Sequence, residues 1–276
     1  MNVKVGPPGK GAKLWVVVPD IHFPEHDEVA LALALKAIEV LKPTHTLLLG
    51  DVLDCGSFSE HSKRTVAEDE AYDFEEAEIK PCNAMLDWIQ KHTKEFTYYL
   101  EGNHEARIER WAVKGGQANK SIYRLISPQH TLARGRKDFK MVPYAVPTGA
   151  QRGFVQMVKQ SPQMRTGGLV AVHGWSFAKH AARVHLEKSR SQSIVYGHTH
   201  RQQVEVSRDP WTGQLVKAFN PGTLSKLEPL YAVGGSPNDW AHGFALVYVG
   251  ESSWTEYVIS IVNGGCVLPD GRQLRV

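Results

Sequence analysis

Short apolar runs, each followed closely by an acidic side chain, open the sequence. Residues 14–18 are rich in valine and predict a buried strand, with Asp20 just beyond its carboxyl end. Residues 28–41 carry Leu, Ala and Ile at three- and four-residue spacing, which predicts a helix. Residues 46–49 predict a second strand that leads into Asp51. This strand, helix, strand unit therefore places a carboxylate after each strand.

The same arrangement recurs three more times along the chain. Residues 96–100, 169–172 and 193–196 predict short strands, and polar side chains follow each of them. Because the carboxyl ends of parallel strands share one edge of a sheet, we expect these side chains to converge. They are Asn103 and His104 after the first run, His173 after the second, and His198 and His200 after the third.

The rest of the pattern predicts one domain over residues 1–276 that becomes rich in β-structure toward its end. A charged helical segment near 60–95 is expected to be peripheral, and residues 111–168 resemble a loop-rich insertion. Further strands joined by turns are predicted at residues 202–206, 215–219, 244–249 and 255–261.

Composition bears on the cellular location of the protein and on the class of partner it could bind. The most apolar stretch, residues 29–38, is interrupted by Lys36, so we expect no membrane span. No export signal is recognisable and the three cysteines are widely separated, so we expect a cytoplasmic protein without a disulfide framework. The net charge of +3 gives no support for a nucleic-acid-binding stripe. Oligomeric state leaves no trace in the sequence.

Each polar motif taken alone has an ordinary structural explanation. Asp20 and His22 could cap backbone groups, Asp51 could begin a turn, and His173 could be a core histidine. Their joint occurrence after five strands is harder to explain by chance. Carboxylate, amide and imidazole groups together suit two divalent cations of hard or borderline character.

These motifs resemble those of the calcineurin-like metallophosphoesterases, in type and in order. The resemblance covers roughly residues 14–200, and Asn220-Pro221-Gly222 resembles a turn usual in the family. It implies an α/β fold, a four-layer αββα sandwich of two mixed β-sheets flanked by helices. His22-Phe23-Pro24 and the segment after Asn103 are similar to phosphoesterases of many bacteriophage genomes, for which a host cytoplasm is expected. The five motifs are Asp20-x-His22, Gly50-Asp51-x-x-Asp54, Gly102-Asn103-His104-Glu105, His173 and Gly197-His198-x-His200.

The resemblance also implies a role for each residue. His104 would protonate the leaving group and Asp54 would orient its ring. Phosphate mono- or diesters would be hydrolysed by a hydroxide that bridges two divalent ions, with Mn²⁺ expected first and Fe, Zn, Ni or Mg as alternatives. The implied metal ligands are Asp20, His22 and His200 for one ion, Asn103, His173 and His198 for the other, and Asp51 between them.

The substrate is less determined. Phe23 and Cys55-Gly56 stand where protein phosphatases of this superfamily carry other residues, which disfavours a protein substrate. A phosphomonoesterase, a cyclic-nucleotide phosphodiesterase, a nuclease acting on DNA or RNA, and an inactive binding scaffold stay open, with a nucleotide or nucleic acid as partner. Trp111, Trp175 and Phe177 could stack on a base or serve packing. Basic residues that could contact the phosphate are Arg107, Arg110, Lys179, Arg183 and Arg201.

Overall fold

A computed structural model describes residues 11–59, 72–144, 153–161, 164, 166–189, 192–210, 212–228 and 238–276. Its strands are β1 (Lys13–Val18), β2 (His45–Leu48), β3 (Phe96–Leu100), β4 (Phe139–Val142), β5 (Phe154–Val158), β6 (Leu169–Val172), β7 (Ser193–Tyr196), β8 (Gln202–Arg208), β9 (Leu215–Pro221), β10 (Gly243–Val249), β11 (Trp254–Ser260), β12 (Gly265–Val267) and β13 (Gln273–Arg275). Its helices are α1 (Glu28–Leu41), α2 (Lys80–His92), α3 (Ala106–Lys114), α4 (Gly116–Ile126), α5 (Pro128–Thr131) and α6 (Ala181–Lys188), with a 3₁₀ turn at Gly56–Phe58 and a π-helical turn at Glu75–Ile79.

Two mixed sheets form the centre of the fold. The first has the strand order β11, β10, β1, β2, β3, β4, in which β1 to β4 are parallel and β10 and β11 are antiparallel. The second has the order β5, β6, β7, β9, β8, with three parallel central strands and an antiparallel strand at each edge. The parallel strands of each sheet direct the loops at their carboxyl ends to one side.

Successive side chains of the central strands point to opposite faces of their sheet, so each sheet packs against the other sheet on one face and against helices on the other. In β1, Trp15 and Val17 pack into the core between the sheets with Phe219 of β9. Val16 and Val18 point the other way, toward the helical core that contains α1 and α2. Helix α6 covers the outer face of the second sheet. The structure therefore confirms the predicted αββα sandwich of two mixed sheets flanked by helices.

Helix α1 has the bounds that the sequence predicts. Its apolar face is buried, with Leu33, Ala37 and Ile38 at most 1 % exposed. At the amino end, Oδ1 of Asp27 accepts a hydrogen bond from the backbone N–H of Ala30, a standard N-cap. The helix crosses over between β1 and β2, so it orders the two strands that carry the first two carboxylates.

The helical segment predicted near 60–95 is not peripheral where it is described. Cys82, Leu86 and Ile89 of α2 are buried in the main helical core. Pro81 lies in the first turn of α2, directly after the π-helical turn at Glu75–Ile79. The charged surface positions of this segment hid its apolar stripe. Residues 60–71 lie outside the described residues.

The segment 111–168 contains regular structure, contrary to the predicted loop-rich insertion. It holds α4, α5 and two short strands, of which β4 pairs with β3 and β5 pairs with β6. Helix α4 buries none of its residues fully, although Tyr123 and Ile126 pack against the main helical core. The two strands are defined by their partners more than by their own sequence. Residues 145–152, 162, 163 and 165 lie outside the described residues.

Two observations concern the location and the cysteines. Among the described residues, the structure contains no helix with the length and apolar character needed to cross a bilayer. Cys55, Cys82 and Cys266 are all buried free thiols.

Candidate metal centre

The motif residues lie in loops that follow strands of both sheets. In the first sheet, β1, β2 and β3 lead into Asp20, Asp51 and Asn103. In the second sheet, β6 and β7 lead into His173 and His198. These loops share one edge of each sheet, and the two edges meet across the sandwich. The candidate site is therefore built between the sheets.

Asp20, His22 and His200 form one group whose candidate ligand atoms lie within 4.8 Å of one another. Nε2 of His200 lies 3.1 Å from Nε2 of His22 and 3.5 Å from Oδ1 of Asp20. All three side chains are buried. The cluster thus concentrates two imidazole nitrogens and a carboxylate away from solvent.

Asp51, His173 and His198 form a second group within the same distance limit. Nε2 of His173 lies 3.1 Å from Oδ2 of Asp51 and 2.9 Å from Oδ1 of Asn103. The same Oδ2 lies 3.9 Å from Nε2 of His22, which belongs to the first group. Asp51 therefore faces both groups, as a ligand shared by two ions would have to.

The two groups fit divalent cations for a reason independent of any motif. Within the described part of the chain, Oδ2 of Asp20 and Nδ1 of His200 are buried and have no hydrogen-bond partner. A buried carboxylate oxygen without a partner is unfavourable, because its hydration is lost and not replaced. A cation at this group would compensate that oxygen, and oxygen with imidazole nitrogen is a donor set that Mn, Fe and Zn accept.

Asp54 and His104 lie beside these groups. Oδ1 of Asp54 is 3.3 Å from Nδ1 of His22 and 3.2 Å from Nδ1 of His104, so one carboxylate orients two rings. Nη2 of Arg107 is 3.0 Å from Nε2 of His104. Since a guanidinium can only donate, that Nε2 accepts, and the ring proton lies on Nδ1, 2.8 Å from the backbone oxygen of Asp54.

The loops adopt backbone conformations that few residues favour. Gly50 has φ of +99°, and a Cβ there would approach Nδ1 of His173 to 2.4 Å. Four candidate ligands occupy the left-handed region, where non-glycine residues are uncommon and where strain tends to mark functional sites. They are His22 at 59°, Asp51 at 48°, His198 at 72° and His200 at 57°.

Glu105 holds the Asp51 loop, a role that the sequence did not reveal. Its buried carboxylate accepts hydrogen bonds from the backbone N–H groups of Asp51, Val52 and Leu53, at 2.8–3.1 Å. It also accepts from the hydroxyl of Tyr99 and from a backbone N–H of its own loop. The available signal was its place in the Asn-His-Glu motif, next to two candidate site residues. Glu105 positions the loop and does not itself face the two groups.

Asn220 performs a similar task for the histidine pair. Its Nδ2 donates to the backbone oxygen of Gly197 at 2.7 Å and to Oγ1 of Thr199 at 3.0 Å. The side chain is fully buried. Asn220, at the end of β9 in the segment that resembled a family turn, therefore fixes the loop between His198 and His200.

Acidic and imidazole groups lie close enough in the site to shift one another's pKa values. Burial by itself would raise the pKa of Asp51, but the positive charge of His173 and its hydrogen bond to this carboxylate outweigh it and hold the pKa well below its usual value. Burial opposes protonation of His173, yet the Asp51 carboxylate raises the His173 pKa to about 9. Burial lowers the pKa of His198 to about 4, and the charge of His173 adds to this effect. A cation would compete with the proton on His173, so binding should release protons.

A cavity of about 260 Å³ opens onto both groups. Besides the candidate ligands and His104, Phe177, Arg201 and Trp240 line it. Trp240 carried no sequence signal, since it lies far beyond the last motif. A larger cavity of about 590 Å³ adjoins this one through Asn103, and its lining includes Phe58, Arg107, Arg110, Trp111 and Lys114.

The predicted substrate cations separate into two sets. Arg107 and Arg201 lie at the site, and Arg110 donates to the backbone oxygen of Asn103 at 2.8 Å. Lys179 and Arg183 do not line either cavity described above. Arg183 lies on the exposed face of α6 and pairs with a glutamate one turn away, because its helix covers the outer face of the second sheet. Lys179 is exposed just before that helix.

Several solved structures are similar to this chain at low sequence identity. Vacuolar Protein Sorting 29 from Cryptosporidium parvum is 14 % identical, with 96 % of this chain and 99 % of that chain covered and a TM-score of 0.45. Vps29 from Entamoeba histolytica complexed with zinc is 14 % identical, with 95 % and 98 % covered and a TM-score of 0.43. YfcE, a phosphoesterase from E. coli, is 16 % identical, with 95 % and 98 % covered and a TM-score of 0.41.

The family assignment comes from the sequence comparison. No curated protein sequence matches the chain. The calcineurin-like phosphoesterase profile matches residues 15–202, which is more than half of the chain and includes every motif gathered at the two groups. On this evidence the chain belongs to the calcineurin-like phosphoesterase family.

Proposed function

We propose that this protein is a metal-dependent phosphoesterase that hydrolyses phosphate mono- or diesters at the edge where the two sheets meet. The observation that carries the proposal is the convergence of candidate ligands from five loops, with Oδ2 of Asp20 left without a partner. An unpaired buried carboxylate oxygen is unfavourable for stability, and a bound cation would offset that cost. Manganese is the proposed metal and the cytoplasm the proposed location.

Seven residues are proposed to hold two divalent cations. When bound, such cations would stabilise charge on the phosphoryl group and make water acidic enough to supply a nucleophile near neutral pH. The proposed ligands are Asp20, His22 and His200 for one cation, and Asn103, His173 and His198 for the other, with Asp51 shared.

His104 is proposed to protonate the leaving oxygen. In the present arrangement its Nε2 accepts from Arg107, so this nitrogen must first be released. A phosphate group is an anionic acceptor that can form two hydrogen bonds with one guanidinium. These bonds are stronger than the single bond that a neutral imidazole accepts. Substrate would therefore draw Arg107 away and leave Nε2 free to carry a proton, while Asp54 keeps the ring in place.

The surroundings favour an anionic substrate. Arg107, Arg110 and Lys114 follow one another at three- and four-residue spacing on α3, so they share one helix face. All three line the cavity of about 590 Å³ that adjoins the two groups. A substrate with a second phosphate, such as a nucleic-acid strand, would extend into this cavity, so a nuclease is kept as the second candidate function.

The test is hydrolysis of p-nitrophenyl phosphate and its bis ester with Mn²⁺, Ni²⁺, Mg²⁺, Zn²⁺ or a chelator. Turnover that needs a metal is expected for the wild type. Asp51→Asn should lose metal and activity together, as measured by elemental analysis and by rate. Asp270→Asn, the same change in a surface turn, serves as the control. Full metal loading of Asp51→Asn would refute the shared ligand, and wild type inactive on every ester would favour a binding scaffold.

A further inference from the structure

Two aromatic rings, those of Phe177 and Trp240, form two walls of the 260 Å³ cavity. Phe177 follows β6, and its ring centroid lies 3.9 Å from that of His198. Trp240 precedes β10, and its ring lies 4.3 Å from that of His200 in an edge-to-face contact. Each wall therefore contacts a candidate ligand of a different group, and both rings reach the space that a substrate would enter.

Phe177 is poorly explained as a packing residue. It is 71 % exposed, although it is large and apolar. Single exposed apolar residues are common on protein surfaces and need no explanation by themselves. This one, however, lines the same cavity as Asp51 and His104. An aromatic face held open at such a place is available to a planar ring of the substrate.

Arg201 connects the two walls. Its Nη2 donates to the backbone oxygen of Phe177 at 3.1 Å, and its Nε lies 3.4 Å from Oδ1 of Asp239, the neighbour of Trp240. The side chain thus joins two loops that are distant in sequence. Through these two contacts Arg201 can set the spacing of the two rings.

We propose that Phe177 and Trp240 form a subsite for the base of a nucleoside phosphate, with Arg201 as the positioning residue. This inference rests on the proposed function and adds the substrate class. Stacking on an aromatic ring accepts any base, because every base has a π-face. Loss of one such stack corresponds to about 5- to 150-fold in affinity.

The test compares two ligands that differ only in the base, adenosine 5′-phosphate and ribose 5-phosphate. Their affinities for the manganese-loaded protein are measured by calorimetry and as inhibition constants against p-nitrophenyl phosphate. We expect the wild type to prefer the adenosine compound by about 5- to 150-fold. Phe177→Leu and Trp240→Leu should each reduce the preference and leave ribose 5-phosphate affinity unchanged. Phe177→Tyr, which keeps a ring, should retain it.

Phe154→Leu is the matched control, because Phe154 is 41 % exposed on β5 and does not line the cavity. Arg201→Gln should lower affinity for the adenosine compound alone, whereas loss of a phosphate contact would weaken both ligands equally and overturn the positioning role. Equal affinities in the wild type, or a preference unchanged in both leucine variants, would overturn the subsite. Absence of hydrolysis would refute the proposed function alone, since the calorimetric ratio still tests the subsite.

A mononucleotide and the end of a nucleic-acid strand would present the same base to this subsite. The two substrates can be distinguished by comparing ligands of different length. Affinity for adenosine 5′-phosphate, a dinucleotide and a decanucleotide is compared in wild type and in Phe177→Leu. Affinity that rises with length indicates a strand, and equal affinity indicates a mononucleotide. In either case the loss in Phe177→Leu supports the base subsite.

Discussion

At the scale of single residues, the site depends on side chains that hold other groups in place. Asp54 lies between the rings of His22 and His104, and Glu105 binds three consecutive backbone N–H groups of the Asp51 loop. Both carboxylates act through geometry, so replacing them should disturb the site without removing a proposed metal ligand. The proposed roles of His104 and Glu105 can therefore be separated experimentally, because a His104 variant should keep its metal content and a Glu105 variant should bind metal more weakly.

His104→Ala should slow turnover while the metal content stays at the wild-type value. A general acid typically contributes about 10²–10⁴-fold, and the loss should be largest for esters with a poor leaving group. p-Nitrophenolate leaves without help from an acid, so its ester should be affected least. Rates on p-nitrophenyl and alkyl esters, with elemental analysis, check this. Equal losses on both esters would argue against an acid role.

Glu105→Gln should lower metal affinity or activity by about 10–100-fold, the usual effect of losing a group that orients a ligand. The amide keeps the size of the side chain but replaces one charged acceptor by a donor, which faces backbone N–H groups. Metal titrations followed by activity measure the effect. Glu109→Gln, an exposed position one turn along α3, should behave as wild type. A Glu105 variant with unchanged metal affinity would contradict the positioning role.

At the scale of elements, the loops after β1, β2, β6 and β7 pack closely against one another. The backbone N–H of His22 donates to the backbone oxygen of Asp51 at 2.9 Å, and that of Gly197 donates to the backbone oxygen of His173 at 2.9 Å. Glycine at position 50 allows the second loop to approach both the third loop and His173. The site is thus rigid because its loops are bonded to each other and not only to their own strands.

Gly50→Ala should lower the free energy of unfolding by about 1–3 kcal/mol more than Gly271→Ala does, which is the usual penalty of overpacking. Both glycines have positive φ, so both substitutions carry backbone strain. Only at Gly50 would the new Cβ also lie 2.4 Å from His173 and 2.9 Å from the backbone of Gly102. Urea denaturation of the metal-free variants gives both values. Equal destabilisation would show that the loops can move apart freely.

At the scale of the whole molecule, a buried histidine outside the two groups should make stability depend on pH. His185 is fully buried on α6, with its ring stacked on Tyr196 at 4.0 Å. Its Nε2 accepts from the backbone N–H of Trp175 at 3.1 Å. Burial lowers the pKa of His185 to about 4, so the folded protein keeps the ring uncharged where the unfolded chain binds a proton.

The stability that depends on neutral His185 should be present above about pH 6.5 and lost as the pH falls toward 4. A shift of this size corresponds to roughly 3 kcal/mol. The free-energy difference between wild type and His185→Gln should therefore shrink as the pH is lowered, in urea denaturation with a chelator present. His180→Gln, an exposed change just before the same helix, should show no such trend. A constant difference from pH 7 to 4 would contradict the assignment.

The sequence by itself determined the strands that carry the site, the helix between the first two, and the set of candidate ligands. Residues 14–18 form a continuous apolar run because the strand is buried on both faces. Residues 28–41 have apolar side chains at three- and four-residue spacing because the helix buries one face. The polar residues after the strands were also visible, since a carboxylate or histidine beyond a buried strand interrupts an apolar pattern. Local sequence was sufficient to predict an element wherever its own residues determine its secondary structure.

Only the tertiary structure decided the groups that depend on distant partners. β4 and β5 exist as strands because β3 and β6 offer them backbone hydrogen bonds. Glu105 binds N–H groups some fifty positions away, and Trp240 meets His200 from a different loop. Arg183 and Arg201 look alike as basic residues in the sequence, yet one faces solvent on α6 and the other connects two walls of the cavity. Contacts of this kind depend on how the chain folds back on itself, which local periodicity does not encode.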